Sequence, residues 1–411
     1  MAWKLSAPVV TMRVGADDGW TLNDPVLSRL TAGNVLNGPS DGFVDLSTYA
    51  VSVDWSVGAS SASNFTALTP ASCRIRFYDP ARNLDPNGTG TYSSKVRYNT
   101  PVRVSIDGVR QFSGFLWSAA WSSGYTTVIA TDYLSKLAGV SLTATTSQGA
   151  GETGSARILR LLGSSSVNVP VTVGAGTSYT RQATDLSGNV LSNISAIAET
   201  EWGLLQPVNG GDSYIYYPAW YTGRRVAAFY LSDSGIGAVA EAGSSGIDTS
   251  RIINYATVKA SGLTDSISSD ASSISYYGRR TYENTTNLAA QADLDAFAAS
   301  ITSRYATPVA TTPQQLRMVF TTTNVSDNIN IAQMFDSFVR FELLGRYGVV
   351  STSYGWSGTP FVVGYSFSYT PTSEYSVNLA LADFGGSALP GYIQLNGGVG
   401  GYLDYGRVLK A

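Results

Sequence analysis

The chain has 411 residues, 44% of them hydrophobic, enough for two to four domains with real cores. Only 13% are charged, against roughly a quarter in ordinary soluble proteins, and the net charge of −3 offers no basic footprint for holding nucleic acid by its phosphates. There is no histidine and one cysteine, Cys73, so Ser-His-Asp and Cys-His catalysis, His-containing metal sites and an internal disulfide are excluded. The start, MAWKLSAPVVTMRVG, has no apolar run of signal-peptide length and nothing later approaches ~18 apolar residues, so synthesis and assembly in the cytoplasm, without stable membrane insertion, are expected. The sequons at Asn64 and Asn284 then carry no glycan.

In chain order, Val9, Met12 and Val14 begin the β pattern, followed by a polar turn at Asp17-Asp18-Gly19-Trp20 and a loop over 36–42. Tyr49, Val51, Val53, Trp55 and Val57 alternate with small or polar partners, as in a half-buried strand. Cys73, Ile75 and Phe77 alternate with Arg74 and Arg76, which predicts a second strand and buries Cys73 as a small apolar residue. Asp79-Pro80 ends that strand. The following ARNLDPNGTG is built from residues that set turns, so an ordered excursion, an arm, is expected. Val102, Val104 and Ile106 alternate up to Asp107-Gly108, a strong hairpin signal, with return strands over 111–121 and 125–131. Asp132 is placed to cap a short helix whose Leu134 and Leu137 face inward.

A polar, Gly-rich connector over 141–153 precedes a helix over 155–162, with Ile158, Leu161 and Leu162 on one face and Gly163 as its stop. A second helix is expected over 190–202, with Leu191, Ile194, Ile197 and Ala198 at helical spacing and Gly203 as its stop, then an aromatic strand from Tyr214. Residues 232–250 are a glycine-rich breakpoint, and 251–260 read as a strand. Leu294, Phe297, Ala298, Ile301 and Tyr305 predict the longest amphipathic helix, ended by Thr307-Pro308. Strands follow at 316–322, 338–344, 361–369 and 375–381. VIATDYL at 128–134 and LALADFG at 379–385 both end a strand with alanine close ahead of an Asp-aromatic pair, a faint internal repeat. The Gly-rich stretch 386–411 lacks periodicity, and docking on a neighbouring chain and a loosely packed tail both stay open.

Over 73–138 the order RIRFYDP, a Pro/Asn-rich arm, TPVRV…DG…FSGFLW and a strand closing in ATDYLSKL resembles the first tube-forming domain of tail-hub proteins of long-tailed bacteriophages, the minor tail or baseplate hub proteins of the tail tip. ETEWG at 199–203 is similar to the end of a helix in the middle domain of these hubs. IINYATV, a polar loop, SISYYGRR, the long helix and a proline resemble the start of their second tube domain.

The resemblance implies a mainly β fold with α+β parts: a tube-type β-barrel or sandwich domain over 1–142, a small middle α/β module over 143–250, a second tube-type domain with a flanking helix over 251–385, and a tail over 386–411. It also implies a virion structural protein rather than an enzyme. The expected form is a homotrimeric hub ring at the tail tip, continuing the tube lumen and joining tip fibres or a spike. Distal tail and tape measure proteins would be its neighbours, and DNA would pass only in transit. Two similar wedges in each of three copies would give a roughly six-fold ring. The arm, with Asp79, Arg82, Asn83, Asp85, Tyr92 and Tyr98, is the candidate intersubunit clasp. Deleting residues 81–90 is expected to leave a folded monomer that fails to form rings.

Carboxylate chemistry survives the composition. Glu199 and Glu201, like Asp293 and Asp295, are two apart and diverge on a helix. Asp79 and Asp85 suit turn formation better than calcium, since their spacing does not fit an EF-hand. No GxxxxGK[ST] or strand-anchored GxGxxG supports a nucleotide, and no cofactor is expected. A glycosidase built from distant carboxylates is invisible in a sequence. The tyrosine and tryptophan surplus favours core and subunit interface over a sugar platform. A receptor-binding or carbohydrate-binding or -degrading tip protein, or a distal tail protein, are the alternative readings.

Overall fold

A computed structural model describes residues 5–14, 42–58, 69–143, 149–165, 167, 169–174, 178–184, 187–218, 230–232, 240–242, 252–306, 315–323, 332, 335–336, 338–340, 348–351, 356–358, 361–371 and 374–382. β1 (Val9–Arg13), β2 (Phe43–Asp45), β3 (Ala50–Gly58) and β4 (Ser72–Tyr78) lead into the arm, and β5 (Pro101–Ile106), β6 (Val109–Ser122) and β7 (Tyr125–Thr131) follow it. The middle of the chain holds α1 (Tyr133–Gly139), β8 (Ser141–Thr143), α2 (Gly154–Ser164), β9 (Val171–Val173), β10 (Ser187–Asn189), α3 (Val190–Glu201), β11 (Leu204–Val208) and β12 (Ser213–Tyr217). Then come β13 (Tyr230–Ser232), β14 (Ala240–Ala242), β15 (Tyr255–Ala260), β16 (Ser266–Ser269), α4 (Ala271–Tyr277), β17 (Thr281–Thr286) and α5 (Gln291–Tyr305). The last strands are β18 (Gln315–Phe320), β19 (Gly348–Ser351), β20 (Trp356–Gly358), β21 (Phe361–Thr370) and β22 (Glu374–Ala382).

Alternating burial along β4 and β5 puts Cys73, Ile75 and Phe77, and Val102, Val104 and Ile106, into one core while the arginines and serines between them face out. Asp107 and Gly108, with φ of 49° and 77°, close the β5–β6 hairpin, and Ser123 and Gly124, at 51° and 83°, close β6–β7. Positive φ at both central positions matches the right-handed twist of the flanking strands.

These strands belong to an eleven-stranded sheet in the order β14-β18-β22-β21-β3-β4-β7-β6-β5-β1-β2. Every pairing in it is antiparallel. The seam lies between β3 and β21, where Trp55 pairs with Phe367 and their rings stack with centroids 4.9 Å apart. One hydrophobic core runs under both sides, from Val10 and Val53 to Phe320, Tyr375 and Leu379. The strands expected in two tube domains therefore share a sheet and a core.

Among the described residues two smaller cores accompany the main one. Leu134 and Leu137 of α1 pack with Ile158, Leu161, Ile194, Ile197 and Tyr216, so α1 belongs with α2, α3 and β12 rather than with the strands before it. Residues 252–306 form a three-stranded sheet, β16-β15-β17, whose Ala256 and Val258 meet Leu294, Phe297 and Ile301 of α5, with Trp202 from the end of α3 in the same cluster.

Some local expectations are corrected. Of the strand expected over 338–344, residues 338–339 are helical, as are 335–336 before them, because Phe335, Phe338 and Val339 recur at helical spacing and are buried with Phe320; residues 341–344 lie outside the described residues. Gly163 lies inside α2, which runs on to Ser164. Trp202, not Gly203, ends α3 in the left-handed region at φ 50°. Gly203 is needed for another reason: a Cβ there would lie 2.4 Å from the Tyr216 hydroxyl. The turn at Asp17 to Trp20, most of the loop over 36–42, the Asn64 sequon, residues 243–250, Pro308 and the stretch 386–411 lie outside the described residues.

Candidate assembly surface

The arm between β4 and β5 is folded on itself and onto β6 and β7. Asp79 organises it: one carboxylate oxygen accepts the Asn83 N–H at 2.7 Å, and the other accepts the Leu84 N–H at 2.9 Å and the Thr126 hydroxyl at 2.8 Å. Its own N–H donates to the Gly124 carbonyl at 2.8 Å, and the Trp121 indole donates to its carbonyl at 3.0 Å. Arg82 lies over the Trp121 ring and donates to Asp85, which also accepts the Asn87 N–H at 3.0 Å. Burial pushes the Asp85 carboxyl up, and the bonds from Asn87 and Arg82 outweigh it and hold it below its ordinary value. Gly90 lets the returning chain press on Asn83, whose Cα would lie 2.5 Å from an added Cβ.

The six residues expected to form a clasp thus divide. Asp79 and Asp85 are 4% and 3% exposed and accept from the arm and, for Asp79, from Thr126 of β7, so a cation would have to displace these N–H and O–H donors. Asn83 and Tyr92 are joined by the Tyr92 N–H to Asn83 carbonyl bond at 3.0 Å, and Tyr92 packs on the main core. Arg82 is engaged with Asp85 and Trp121. Tyr98 is 58% exposed, with its ring in T-shaped contact with Trp117 at 5.6 Å, and unlike the exposed Arg82 it makes no ion pair within the arm. Trp117 carried no signal in the sequence, because it sits at a register shift between Leu116 and Ser118 where β6 bulges against β7.

Beyond the arm, the main sheet ends in two three-residue strands, β2 at one side and β14 at the other. Its outward face carries Ser52, Ser56, Thr127, Ser366 and Ser368, all partly exposed, with Arg74 and Arg76 among them.

Buried and half-buried polar contacts hold the smaller units to this sheet and to one another. Asp132 caps α1 through the Ser135 N–H at 3.3 Å and accepts the Tyr214 hydroxyl of β12 at 2.8 Å. Asp212 accepts from Arg110 at 2.9 Å and from the Ser113 hydroxyl. Beside it, Gly210 at φ 66° lies so close to β6 that a Cβ would come within 2.7 Å of the Phe112 nitrogen. Glu201 is the hub of the middle: it accepts from Ser178, the Tyr179 N–H, Arg181 and Tyr216 at 2.8 to 3.0 Å, and neither it nor Arg181 exposes its side chain. Arg181 also reaches Asn287 at 3.1 Å, tying the middle to the unit built on α5. The pair Glu199 and Glu201 does diverge: Glu199 accepts from Tyr282 while Glu201 faces inward. Cys73 is buried, and burial, with Asp54 adding to it, raises its thiol well above the ordinary range. Among the described residues no group of three or more His, Cys, Asp or Glu could hold a metal ion, and no helix is long and apolar enough to cross a membrane.

A mainly antiparallel β protein, with one long sheet, a folded arm and small α/β units pinned to it by buried polar bonds, is the class these features define. No protein-family profile and no curated protein matches the chain. Solved structures do. The tail protein from Neisseria meningitidis MC58 superposes with a TM-score of 0.57 at 13% identity, covering 92% of this chain and 96% of that one. The 43 kDa tail protein of prophage MuSo2 from Shewanella oneidensis gives 0.55 at 10% identity, with 92% and 96% covered. Prophage tail protein gp18 from Listeria monocytogenes EGD-e gives 0.52 at 8% identity, with 91% and 94% covered. The chain has the fold of these phage tail proteins along nearly its whole length.

Proposed function

We propose that the chain is a non-enzymatic structural protein of a phage tail, and within the tail the hub ring at its tip. The observation that carries this reading is the eleven-stranded sheet with a short edge strand at each end, set on a fold shared with tail proteins. Different edges at the two ends suit head-to-tail contacts between copies, which close into a ring when the rotation allows. The β6–β7 and β21–β22 hairpins lie in that one sheet, so each copy supplies two hairpin wedges and three copies give six. The outward face is rich in hydroxyls and carries Asp54 paired across from Arg74, a mixed rather than uniformly basic surface, which suits a lumen through which DNA slides without being held. Distal tail protein, tape measure protein and tip fibres or spike are the partners this position requires.

The arm enters the ring as a preformed knob. Since Asp79, Arg82, Asn83, Asp85 and Tyr92 work inside it, the intersubunit contact falls to its outer turn at Pro86, Asn87 and Thr89, all exposed. Removing 81–90 would also take out Leu84 from the core and strip donors from Asp79, so a point change is the cleaner test. Electron microscopy of the full chain, with its mass in solution, should show a three-copy ring, and Thr89→Arg should leave a folded monomer. A wild-type chain that stays monomeric at every concentration, or closes as a two-fold dimer, would sink the ring; rings formed by Thr89→Arg would remove only the knob.

A further inference from the structure

We propose that the groove between the arm and β6, built on Tyr98 and Trp117, is a glycan-binding site. Its volume is about 480 Å³ and it is open and shallow. The two rings at its mouth are 58% and 54% exposed, whereas outward positions elsewhere on β4, β6 and β7 are mostly serine, threonine, alanine or arginine, apart from Ile129 and from Tyr78, which packs on Tyr125. Both rings are set in place by the backbone. The bulge between Leu116 and Ser118 turns Trp117 out of the strand's alternation. Opposite it, the turn 97–100 is clamped to the residue just before the bulge: the Asn99 N–H donates to the Leu116 carbonyl at 3.0 Å, and the Leu116 N–H donates to the Thr100 carbonyl at 2.8 Å. Asn99 accepts a φ of 71° to make that turn, and the Thr100 hydroxyl locks it by donating to the Lys95 carbonyl at 2.8 Å. The site is rigid before any ligand arrives, so little ordering cost falls on binding.

The chemistry of the lining selects the occupant. A sugar ring is amphipathic, with a C–H face that stacks on an aromatic ring and hydroxyls around its rim. The groove offers two aromatic rings at 68° to each other, with Ser94, Ser118 and Arg97 beside them and no carboxylate in the lining; the Arg97 Nε donates to the Ser94 carbonyl. Of its aliphatic members, Val96 and Leu116 are 2% and 3% exposed and form the floor, while Ala119 is half-buried and Pro86 exposed. A protein segment would need a broader apolar surface to hold it, since stable interfaces have a desolvated core within roughly 1,200 Å² or more of buried area. The assignment is to hexose-type glycans, neutral or acidic, with Arg97 placed to meet an acidic substituent. It goes beyond the tail-structural role proposed above and shares with it Pro86, which lines the groove and stands on the outer turn of the arm.

The test uses the full chain titrated calorimetrically with maltotetraose, chitotetraose and tetragalacturonate, each to about 10 mM, the weak-affinity range of a shallow site. Binding of at least one is expected, with a tenfold or greater loss in Trp117→Ala and Tyr98→Ala. Arg97→Ala should weaken tetragalacturonate selectively. Solution mass of each variant is measured alongside. If none of the three sugars binds, or the variants bind like wild type, the assignment fails. It fails equally if Trp117→Ala abolishes self-association, which would make the groove a seat for a second copy.

Discussion

Asp132 joins two units through a single carboxylate, capping α1 with one oxygen and receiving Tyr214 with the other. Burial pushes its carboxyl up to about 6, and the bonds from Tyr214 and backbone N–H groups offset only part of that. A folded-state value above the unfolded one means the contribution is fully present below about 4 and lost as pH rises through about 6. The loss is on the order of 3 kcal/mol. Asp132→Asn keeps a capping side chain, so the denaturant midpoint measured between pH 4 and 7 should lose this slope; an unchanged slope would place the titration elsewhere. Gly210 supplies a steric counterpart. Gly210→Ala meets the backbone of β6, whereas Gly262→Ala has nothing within 4 Å at a similar φ of 73°. Strain from positive φ is common to both, so the former should cost about 1–3 kcal/mol more. Equal melting temperatures would show that the turn is not pressed against the strand.

At the scale of elements, the seam of β3 and β21 is the joint on which the main sheet depends. Trp55→Ala removes a buried ring stacked on Phe367 and should cost about 3–5 kcal/mol. Hydrogen exchange should quicken in β21 and β22 as well as in β3; protection lost in β3 alone would mean the two sides are energetically separate. The strands themselves were legible, because period-2 alternation at Cys73, Ile75 and Phe77 or at Val102, Val104 and Ile106 is a local signal. So were α5 and the cap at Asp132. The pairing of β3 with β21 was not, since nothing within either strand names a partner so far along the chain. The helical turn around Phe335 and Phe338 was missed because two aromatics and a valine suit either period. At the arm, residue types foretold ordered turns correctly but not their direction: Asp79 and Asp85 turn inward to N–H donors, while the outward ring beside Tyr98 belongs to a bulge that no spacing rule marks.

For the whole molecule, the large sheet is the frame and the smaller units are fastened to it and to each other by polar contacts, buried at Asp132 and Glu201 and half-buried at Asp212. Such contacts fix orientation more than they add stability, because a buried ion pair such as Arg181 with Glu201 roughly offsets its own desolvation. That suits a component whose units must face their neighbours at set angles. The seam also bears on how the chain is made. Asp54 of β3 bonds to Ser368 of β21, 314 positions later. At ribosomal rates the edge of β3 therefore waits roughly 15–60 s for its partner to be synthesised. During that interval a long, partly apolar strand edge stands open to other nascent chains. Yield in the cell is then governed by how well that edge is shielded during translation, and any product that stops short of β21 leaves it open for good.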